Sequence, residues 1–446
     1  MPEVTEPASE WSSEFPSENP SPSPQPRCLI FVPSFMPQNT SYVVGFLGRR
    51  DSQQIPLALA EAELLECFVT GISNHGWKAK LLGRISSRWN AALARRSVPG
   101  IPENRVDSRW WIELLQNLSS LAGDASQRSW VWADQAISRA ARDVAQRTCG
   151  NLFLYEPYAW EAFTASYSHQ PKRVLFHFHL HPRFERRLME EDLNHHSPGE
   201  IPWSVIDALP RNDARVVDAW RRADLVVCAS SFTKQSLVAE GMPPERCIVV
   251  PYGIDSPGDT QVEAPPGTFS ALFVGSGIQR KGLHHLLRAW AEADLPPGST
   301  LTVVCRSIDP ALKPLLSKMP DHVRLLHGVT PEELTRLFRE SSLFVMPSFA
   351  EGFGQVFLEA LSLGCPVLGT PNTCLPDLGD EKDGIFVTET GNIPKLRARL
   401  EHLAVFLTDP QSAELRKRAA KLSEQFTWAN FRRRLVEALT TIPAAP

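Results

Sequence analysis

Short apolar runs alternate with longer amphipathic segments along the first half of the chain. The apolar runs lie at 28–33, 151–155, 173–178, 225–228 and 248–250, and helix-length segments separate them. Segment 57–72 is rich in Ala, Leu and Glu and has helical periodicity. Continuous apolar runs between helices are typical of parallel strands that are covered on both faces. The first half is therefore predicted to be an α/β domain with a parallel sheet.

The same pattern starts again in the second half. The predicted strands lie at 271–275, 301–305, 323–326, 343–346 and 366–369, and the predicted helices at 283–293, 355–363 and 426–439. The chain is therefore predicted to contain two Rossmann-like, doubly wound α/β domains that face a central cleft. A length of 446 residues also exceeds what one hydrophobic core usually supports.

Composition sets the predicted domain boundaries. Residues 1–26 are dominated by Pro, Ser and Glu and are predicted to form a disordered tail. The N-terminal domain spans 27–255 and is expected to bind the acceptor substrate. The C-terminal domain spans 269–425. The Gly- and Pro-rich stretch 256–268 suits a linker. Residues 426–446 are predicted to form a C-terminal helix that packs back on the N-terminal domain.

Charge and cysteine usage exclude several classes of protein. Forty-six basic and fifty acidic residues give a net charge of −4, which argues against nucleic acid as the main partner. The eight cysteines are scattered without a C-x-x-C pair, so a reducing cytosol is the simpler compartment. No stretch approaches the roughly 18 apolar residues of a spanning helix, and no secretory signal is recognisable. The sequence predicts a cytoplasmic protein.

The most specific motif is the segment 347–367, which reads as a strand end, a Gly-containing loop and a helix. Glu351 lies in the loop, and Glu359 lies eight residues later in the helix. Gly352 and Gly354 allow backbone amides to approach a ligand, and amides at a helix N-terminus favour a diphosphate. Carboxylates beside a diphosphate are expected to bind hydroxyl groups instead. A ligand with both features is a nucleotide sugar.

This segment resembles the E-x7-E region of retaining GT-B glycosyltransferases of family 4, also called group 1. Segments 223–233 and 250–255 resemble the same family's path into the hinge, and the resemblance extends over about 224–440. It implies a retaining, hexosyltransferase-type enzyme that moves a sugar from a nucleoside diphosphate sugar to a hydroxyl of a glycan, lipid or small molecule. It also implies that Glu351 contacts the transferred sugar, that Glu359 contacts the ribose, and that Phe353 and Gly354 belong to the donor site.

The loop 275–282 follows a predicted strand and precedes a predicted helix. It resembles the family's phosphate loop, so Lys281 is expected to bind the donor diphosphate with Arg280 as a second cation and Gly277 in the same loop. Two cations would stabilise the departing diphosphate without a metal, and the chain has no Asp-x-Asp motif. We therefore expect no metal and no cofactor besides the donor. Backbone groups around Gly328 are expected to bind the base.

Three histidines alternate at the end of the predicted strand 173–178. His177, His179 and His181 could converge on a zinc ion, but we expect no acidic or thiol partner nearby. The family resemblance implies instead that one of them lies near the donor sugar, and His179 fits best. A third interpretation is that they satisfy hydrogen bonds in the core.

Two further segments bear on the acceptor. The loop 33–40 lacks the paired glycines of many relatives, which indicates a different acceptor. Segments 84–96 and 105–111 mix Arg with Trp. They are interpreted either as a peripheral membrane contact at the inner face of a membrane or as a solvated basic face with inward Trp residues. Two alternative functions also stay open, namely a catalytically silent binding subunit and a nucleotide-sugar epimerase of the same fold.

Overall fold

The computed structural model describes residues 40–74, 100–120, 126–196, 203, 213–255, 267–410 and 412–441. The predicted tail 1–26, the predicted strand 28–33 and the segment 84–96 lie outside the described residues, as does most of the loop 33–40 and of the linker 256–268. Asn39–Pro446 form one compact unit that contains two separate parallel sheets.

The first sheet has seven strands, all parallel, in the order β3-β2-β1-β4-β5-β6-β7. The strands are β1 Tyr42–Gly45, β2 Leu65–Thr70, β3 Val106–Ser108, β4 Asn151–Tyr155, β5 Arg173–His177, β6 Leu225–Cys228 and β7 Cys247–Val249. The chain order reverses between β1 and β4, which makes the carboxyl ends of these two strands the switch point where ligands bind in doubly wound sheets.

Seven helices accompany this sheet among the described residues. They are α1 Gln54–Glu61, α2 Trp110–Ser120, α3 Ser126–Thr148, α4 Trp160–Phe163, α5 Pro182–Glu191, α6 Ala214–Val217 and α7 Ser231–Val238. The prediction of one helix over 57–72 is wrong. The helix ends at Glu61, and Glu63 adopts a left-handed backbone with φ 58° that turns the chain into β2.

The second sheet has six parallel strands in the order β10-β9-β8-β11-β12-β13. The strands are β8 Ser270–Val274, β9 Thr300–Val304, β10 Val323–Leu326, β11 Leu343–Val345, β12 Val367–Gly369 and β13 Ile385–Val387. Its described helices are α8 Leu283–Glu292, α9 Lys313–Leu316, α10 Pro331–Glu340, α11 Gln355–Ser362, α12 Leu375–Leu378, α13 Ile393–Phe406 and α14 Ser412–Ser423. Here the order reverses between β8 and β11.

The last helix, α15 Trp428–Thr441, contacts the first half of the chain. Arg432 donates to Glu61 at 2.7 Å and to Gln54 at 2.6 Å, both on α1. Phe431 packs edge-on against Phe176 of the first sheet, with ring centroids 6.3 Å apart. Helix α15 is thus joined to α1 by an ion pair and a hydrogen bond, and to the first sheet by aromatic packing. Among the described residues no helix is long and apolar enough to cross a membrane.

Candidate active site

The switch point of the second sheet brings two loops together. Lys281 follows β8, Glu351 follows β11, and the Lys281 ammonium contacts Glu351 Oε2. The Arg280 guanidinium lies 3.2 Å from the same oxygen. Burial opposes ionisation of Glu351, but these two cations hold the pKa of its carboxyl below the usual value. Residues that are 70 positions apart in sequence therefore form one charged cluster.

Backbone contacts fix the relative position of these loops. Gly282 has φ 70°, and a Cβ atom on it would lie 1.9 Å from the carbonyl oxygen of Pro347. Phe349 N donates to the carbonyl of Arg280 at 2.8 Å. Only glycine fits at position 282, because both its backbone conformation and its closest neighbour exclude a side chain. The cations of one loop are thus held beside the carboxylate of the other.

Glu359 lies on α11, which begins directly after Gly354 with φ 85°. Its side chain is half-buried, and no hydrogen bond or ion pair of its carboxylate is found within the described parts of the chain. Burial alone raises the pKa of this carboxyl. An unpaired, partly desolvated carboxylate is suited to accept hydrogen bonds from a hydroxyl-bearing ligand.

The remaining predicted donor residues differ in what they can offer. Gly277 donates its N–H to the carbonyl of Ser307 at 2.8 Å, so this amide is already used within the fold. The Phe353 ring is buried and packs edge-on against Tyr252 at 5.4 Å, which leaves only its backbone for a ligand. Gly328 has φ 82° and is exposed in the loop that follows β10. All three lie in loops at the carboxyl end of the second sheet or beside it.

The first sheet contributes a histidine pair on one carboxylate. Glu156 follows β4 directly, His179 Nδ1 contacts its Oε1 at 2.6 Å, and His177 Nδ1 lies 2.5 Å from its Oε2. Burial opposes ionisation, but the two histidines hold the pKa of Glu156 well below the usual range. The expectation that no acidic partner lies near these histidines is wrong. Glu156 lies directly after the neighbouring strand β4, and its place at the carboxyl end of a strand was the available signal.

The three histidines do not converge on one point. His177 is buried, whereas the His179 side chain is 59% exposed. His181 begins α5, where its Nδ1 accepts from Arg183 N and its Nε2 lies 2.9 Å from the carbonyl oxygen of Val217. His181 is therefore a helix-capping residue, whereas His177 and His179 both line the cavity between the sheets and His179 is the exposed one of the two. Although burial opposes protonation, Glu156 raises the pKa of His179.

A cavity of about 260 Å³ lies between the two sheets. Its lining includes Glu156, His179 and Glu185 from the first half and Arg280 and Gly352 from the second. Glu185 was not recognised from the sequence; it lies in the first turn of α5, and burial raises the pKa of its carboxyl. Acidic, basic and imidazole groups from both halves therefore share one cavity.

The two halves touch at the backbone of Gly352. A Cβ atom on Gly352 would lie 1.9 Å from the carbonyl oxygen of Phe178. The Gly352 carbonyl accepts from the hydroxyl of Ser230 at 2.5 Å and from that of Thr233 at 2.8 Å. This contact joins the loop of Glu351 to the strand end that leads into His179, with no room for a larger residue.

Arg50, in the loop after β1, is a further cation near the cleft. Its guanidinium lies 5.4 Å from the Tyr158 ring centroid and 5.3 Å from that of Phe178. The next three residues, 51–53, all have positive φ, between 47° and 62°. Such backbone costs about 1–2 kcal/mol per residue and clusters at functional sites. This loop lies at the switch point of the first sheet and was not identified from the sequence.

Of the two segments that mix Arg with Trp, the structure describes 105–111. This segment does not distinguish a membrane contact from a solvated basic face. Trp110 is buried, whereas Trp111, on the same helix α2, is 50% exposed. Arg109 pairs with Asp107 at 2.7 Å. One Trp packs inward and one faces outward, so both the solvated face and the membrane contact stay predictions.

Comparison of the whole chain with solved structures identifies the fold class. The chain matches HepE of Anabaena, crystallised with UDP and glucose, with a TM-score of 0.55 and 16% identity over 90% of this chain and 100% of that one. It matches sucrose-phosphate synthase of Thermosynechococcus elongatus with a TM-score of 0.58 and 15% identity over 90% and 98%. At this identity the likeness shows the fold alone. The chain has the GT-B fold, as predicted.

Sequence comparison gives partial matches to known glycosyltransferases. Residues 268–405 match the family model described as glycosyl transferases group 1. The chain is 29% identical to O-antigen chain mannosyltransferase B of Escherichia coli over 36% of this chain and 42% of that protein. It is 32% identical to D-inositol 3-phosphate glycosyltransferase of Pseudarthrobacter chlorophenolicus over 35% and 41%. The matched segments span less than two thirds of either relative.

Proposed function

We propose that the protein is a glycosyltransferase that moves a sugar from a nucleoside diphosphate sugar to a hydroxyl acceptor with retention of configuration. The observation that carries this proposal is the contact of Lys281 and Arg280 with Glu351 at the switch point of the second sheet. The matched segment 268–405 contains all three residues. Two proteins with partial sequence similarity to the chain are a mannosyltransferase and a D-inositol 3-phosphate glycosyltransferase, and HepE was crystallised with UDP and glucose.

Each group has a distinct part in the proposed reaction. The donor diphosphate binds Lys281 and Arg280, which stabilise the negative charge that grows as the nucleotide leaves. Glu351 then exchanges its cation partners for hydroxyls of the transferred sugar, and Glu359 accepts from the ribose. His179 lies across the cavity from Arg280 and presents Nε2 to the sugar, because its Nδ1 is held by Glu156. The acceptor hydroxyl attacks the anomeric carbon from the same face that the diphosphate leaves, so retention requires no nucleophilic side chain. The departing diphosphate takes the proton of the acceptor hydroxyl.

A ligand screen with matched variants tests the proposal. Purified protein is mixed with UDP-, GDP-, ADP-, CMP- and TDP-linked sugars, and the unfolding temperature is measured. A ligand at 100 times its Kd should stabilise by about 2.7 kcal/mol. We expect one nucleotide to stabilise the wild type and the Lys318→Ala control, but not Lys281→Ala. Lys318 is an exposed lysine of the same half.

The identified donor is then supplied with an acceptor panel, and the anomeric configuration of the product is determined by NMR. A product with the donor's configuration supports the proposal, and an inverted product contradicts it. Release of an epimerised free sugar without acceptor would favour the epimerase, and donor binding without any transfer would favour a silent binding subunit. Wild-type turnover by Lys281→Ala would contradict the proposed role of the cations.

A further inference from the structure

A second buried carboxylate joins the two halves behind the phosphate loop. Asp192 is fully buried at the end of α5, and its surroundings come from the other half of the chain. Gln279 Nε2 donates to Asp192 Oδ2 at 2.8 Å, His284 Nε2 lies 3.1 Å from the same oxygen, and His285 Nε2 lies 2.8 Å from Oδ1. One side chain of the first half thus contacts three side chains of the second.

These partners flank the two cations of the proposed donor site. Gln279 immediately precedes Arg280 and Lys281, and the two histidines lie in the first turn of α8 directly after them. Gln279 also donates to the carbonyl of Met189 at 3.0 Å, on the same helix as Asp192. The phosphate loop is therefore fixed on both sides by the last turn of α5, although it belongs to the other sheet.

The ionised carboxylate of Asp192 is suited to accept these hydrogen bonds. Burial opposes ionisation of Asp192, but hydrogen bonds from His284 and His285 hold the pKa of its carboxyl well below the usual range. Burial lowers the pKa of His284 to about 4, so this ring is neutral near pH 7. A carboxylate that accepts from several buried donors is held in one orientation, because any rotation would leave a buried polar group unpaired.

One Asp and two His residues are also a ligand set for zinc or nickel. Among the described residues this is the one trio of His, Cys, Asp or Glu whose ligand atoms come so close together, all within 4.8 Å. However, the Gln279 amide N–H occupies Oδ2 of Asp192 and is fixed in its orientation by Met189. The separations of 3.1 and 2.8 Å between the two histidine Nε2 atoms and the carboxylate oxygens are ordinary lengths for N–H···O hydrogen bonds. The contacts therefore favour hydrogen bonds over a metal.

We infer that Asp192 is a positioning residue that couples contact between the two halves to the placement of Arg280 and Lys281. The effect of that placement on diphosphate binding rests on the proposed function. When the halves are in contact, Asp192 fixes the loop in the orientation that meets a diphosphate. When they separate, Gln279, His284 and His285 lose their shared acceptor, and the loop loses its support on both sides.

The test compares Asp192→Asn with Glu191→Gln, a control that neutralises the exposed neighbouring carboxylate. Hydrogen exchange is followed by mass spectrometry in the full-length protein, with peptides that cover 279–286 and, as reference, β9. We expect at least tenfold faster exchange in the loop of Asp192→Asn, with no change in β9 and no change in Glu191→Gln. Equal loop exchange in all three proteins would overturn the inference. If Asp192→Asn does not fold, Gln279→Ala provides the same comparison with a smaller effect.

Two further measurements separate this inference from the proposed function. UDP affinity is measured by calorimetry, and we expect about tenfold weaker binding in Asp192→Asn than in Glu191→Gln. Failure of the wild type to bind any nucleoside diphosphate would overturn the proposed function, while the exchange data would still decide the role of Asp192. Metal content is measured by mass spectrometry. One equivalent of zinc or nickel in the wild type that is lost in Asp192→Asn would overturn the hydrogen-bond assignment.

Discussion

Replacement of Glu156 by Gln probes the histidine pair of the first half directly. The carboxylate accepts from His179 at 2.6 Å, lies 2.5 Å from His177 Nδ1, and is 6% exposed. Gln keeps one oxygen acceptor but presents an NH2 group at the other position, so one of the two histidines loses its acceptor. A hydrogen bond to a charged group contributes about 1.5–3 kcal/mol. We therefore expect the free energy of unfolding to fall by about 2 kcal/mol.

The pKa shifts of Glu156 and His179 determine how the stability difference between wild type and Glu156→Gln changes with pH. Glu156 has a lowered pKa, so its contribution is present above the ordinary carboxyl pKa of about 4.3 and is lost as the pH falls through the lower folded value. His179 has a raised pKa, so its contribution is complete below about 6.5 and is lost as the pH rises through the higher folded value. The difference between wild type and Glu156→Gln should be largest between about pH 5 and 6.5 and smaller at pH 9.

The assay is urea denaturation at pH 6 and pH 9, with Glu185→Gln as the control. Glu185 lines the same cavity, but burial raises its pKa, so its charge opposes folding near neutral pH and Gln should leave stability unchanged or higher. Opposite signs for two carboxylates of one cavity would support the assignment of Glu156 as the histidine acceptor. Equal stability of the wild type and Glu156→Gln at pH 6 would refute it.

Two other variants test the interface and the donor site. Gly352→Ala places a methyl group within 1.9 Å of the Phe178 carbonyl oxygen, and we expect the free energy of unfolding to fall by about 1–3 kcal/mol. The control is Gly267→Ala, where a Cβ atom would have no neighbour within 4 Å, and it should be neutral in the same urea denaturation assay. Stability equal to that of Gly267→Ala would argue against the close contact. Glu359→Gln should unfold like the wild type but bind the identified nucleotide about tenfold more weakly by calorimetry, because one charge-assisted hydrogen bond to the ribose is lost. Unchanged affinity would remove Glu359 from the donor site.

The second half of the fold could be predicted closely from sequence. Strand β10 matches the predicted bounds 323–326, and α8 and α11 each end one residue before the predicted end. β10 is a short, mainly apolar segment, and α8 and α11 are amphipathic segments that each follow a glycine, so the signals are local. In the first half, β1 Tyr42–Gly45 and β3 Val106–Ser108 were not predicted. β3 is half-buried at a sheet edge and contains Asp107 and Ser108, so it has no apolar run to recognise.

The candidate site likewise contains residues that the local sequence indicates and residues that it does not. Lys281, Glu351 and Glu359 could be predicted as site residues because they lie in two segments whose local sequence resembles a family motif, with Glu359 in helix α11. Glu156 was missed because its importance comes from pairing between β4 and β5, which brings it to a histidine 23 residues away. Asp192 was missed for the same reason, since its partners lie about 90 residues later on another sheet. Contacts set by sheet order leave no mark on either segment alone.

The pairing of Glu351 with Lys281 bears on turnover. A nucleotide that takes Lys281 must remove it from a buried carboxylate, which leaves Glu351 in need of a new partner. Under the proposed function, a nucleotide sugar brings the hydroxyls of the transferred sugar to Glu351, whereas the released nucleotide lacks them. On that proposal Glu351 competes with the nucleotide for the two cations, and this competition would weaken binding of the product more than binding of the donor.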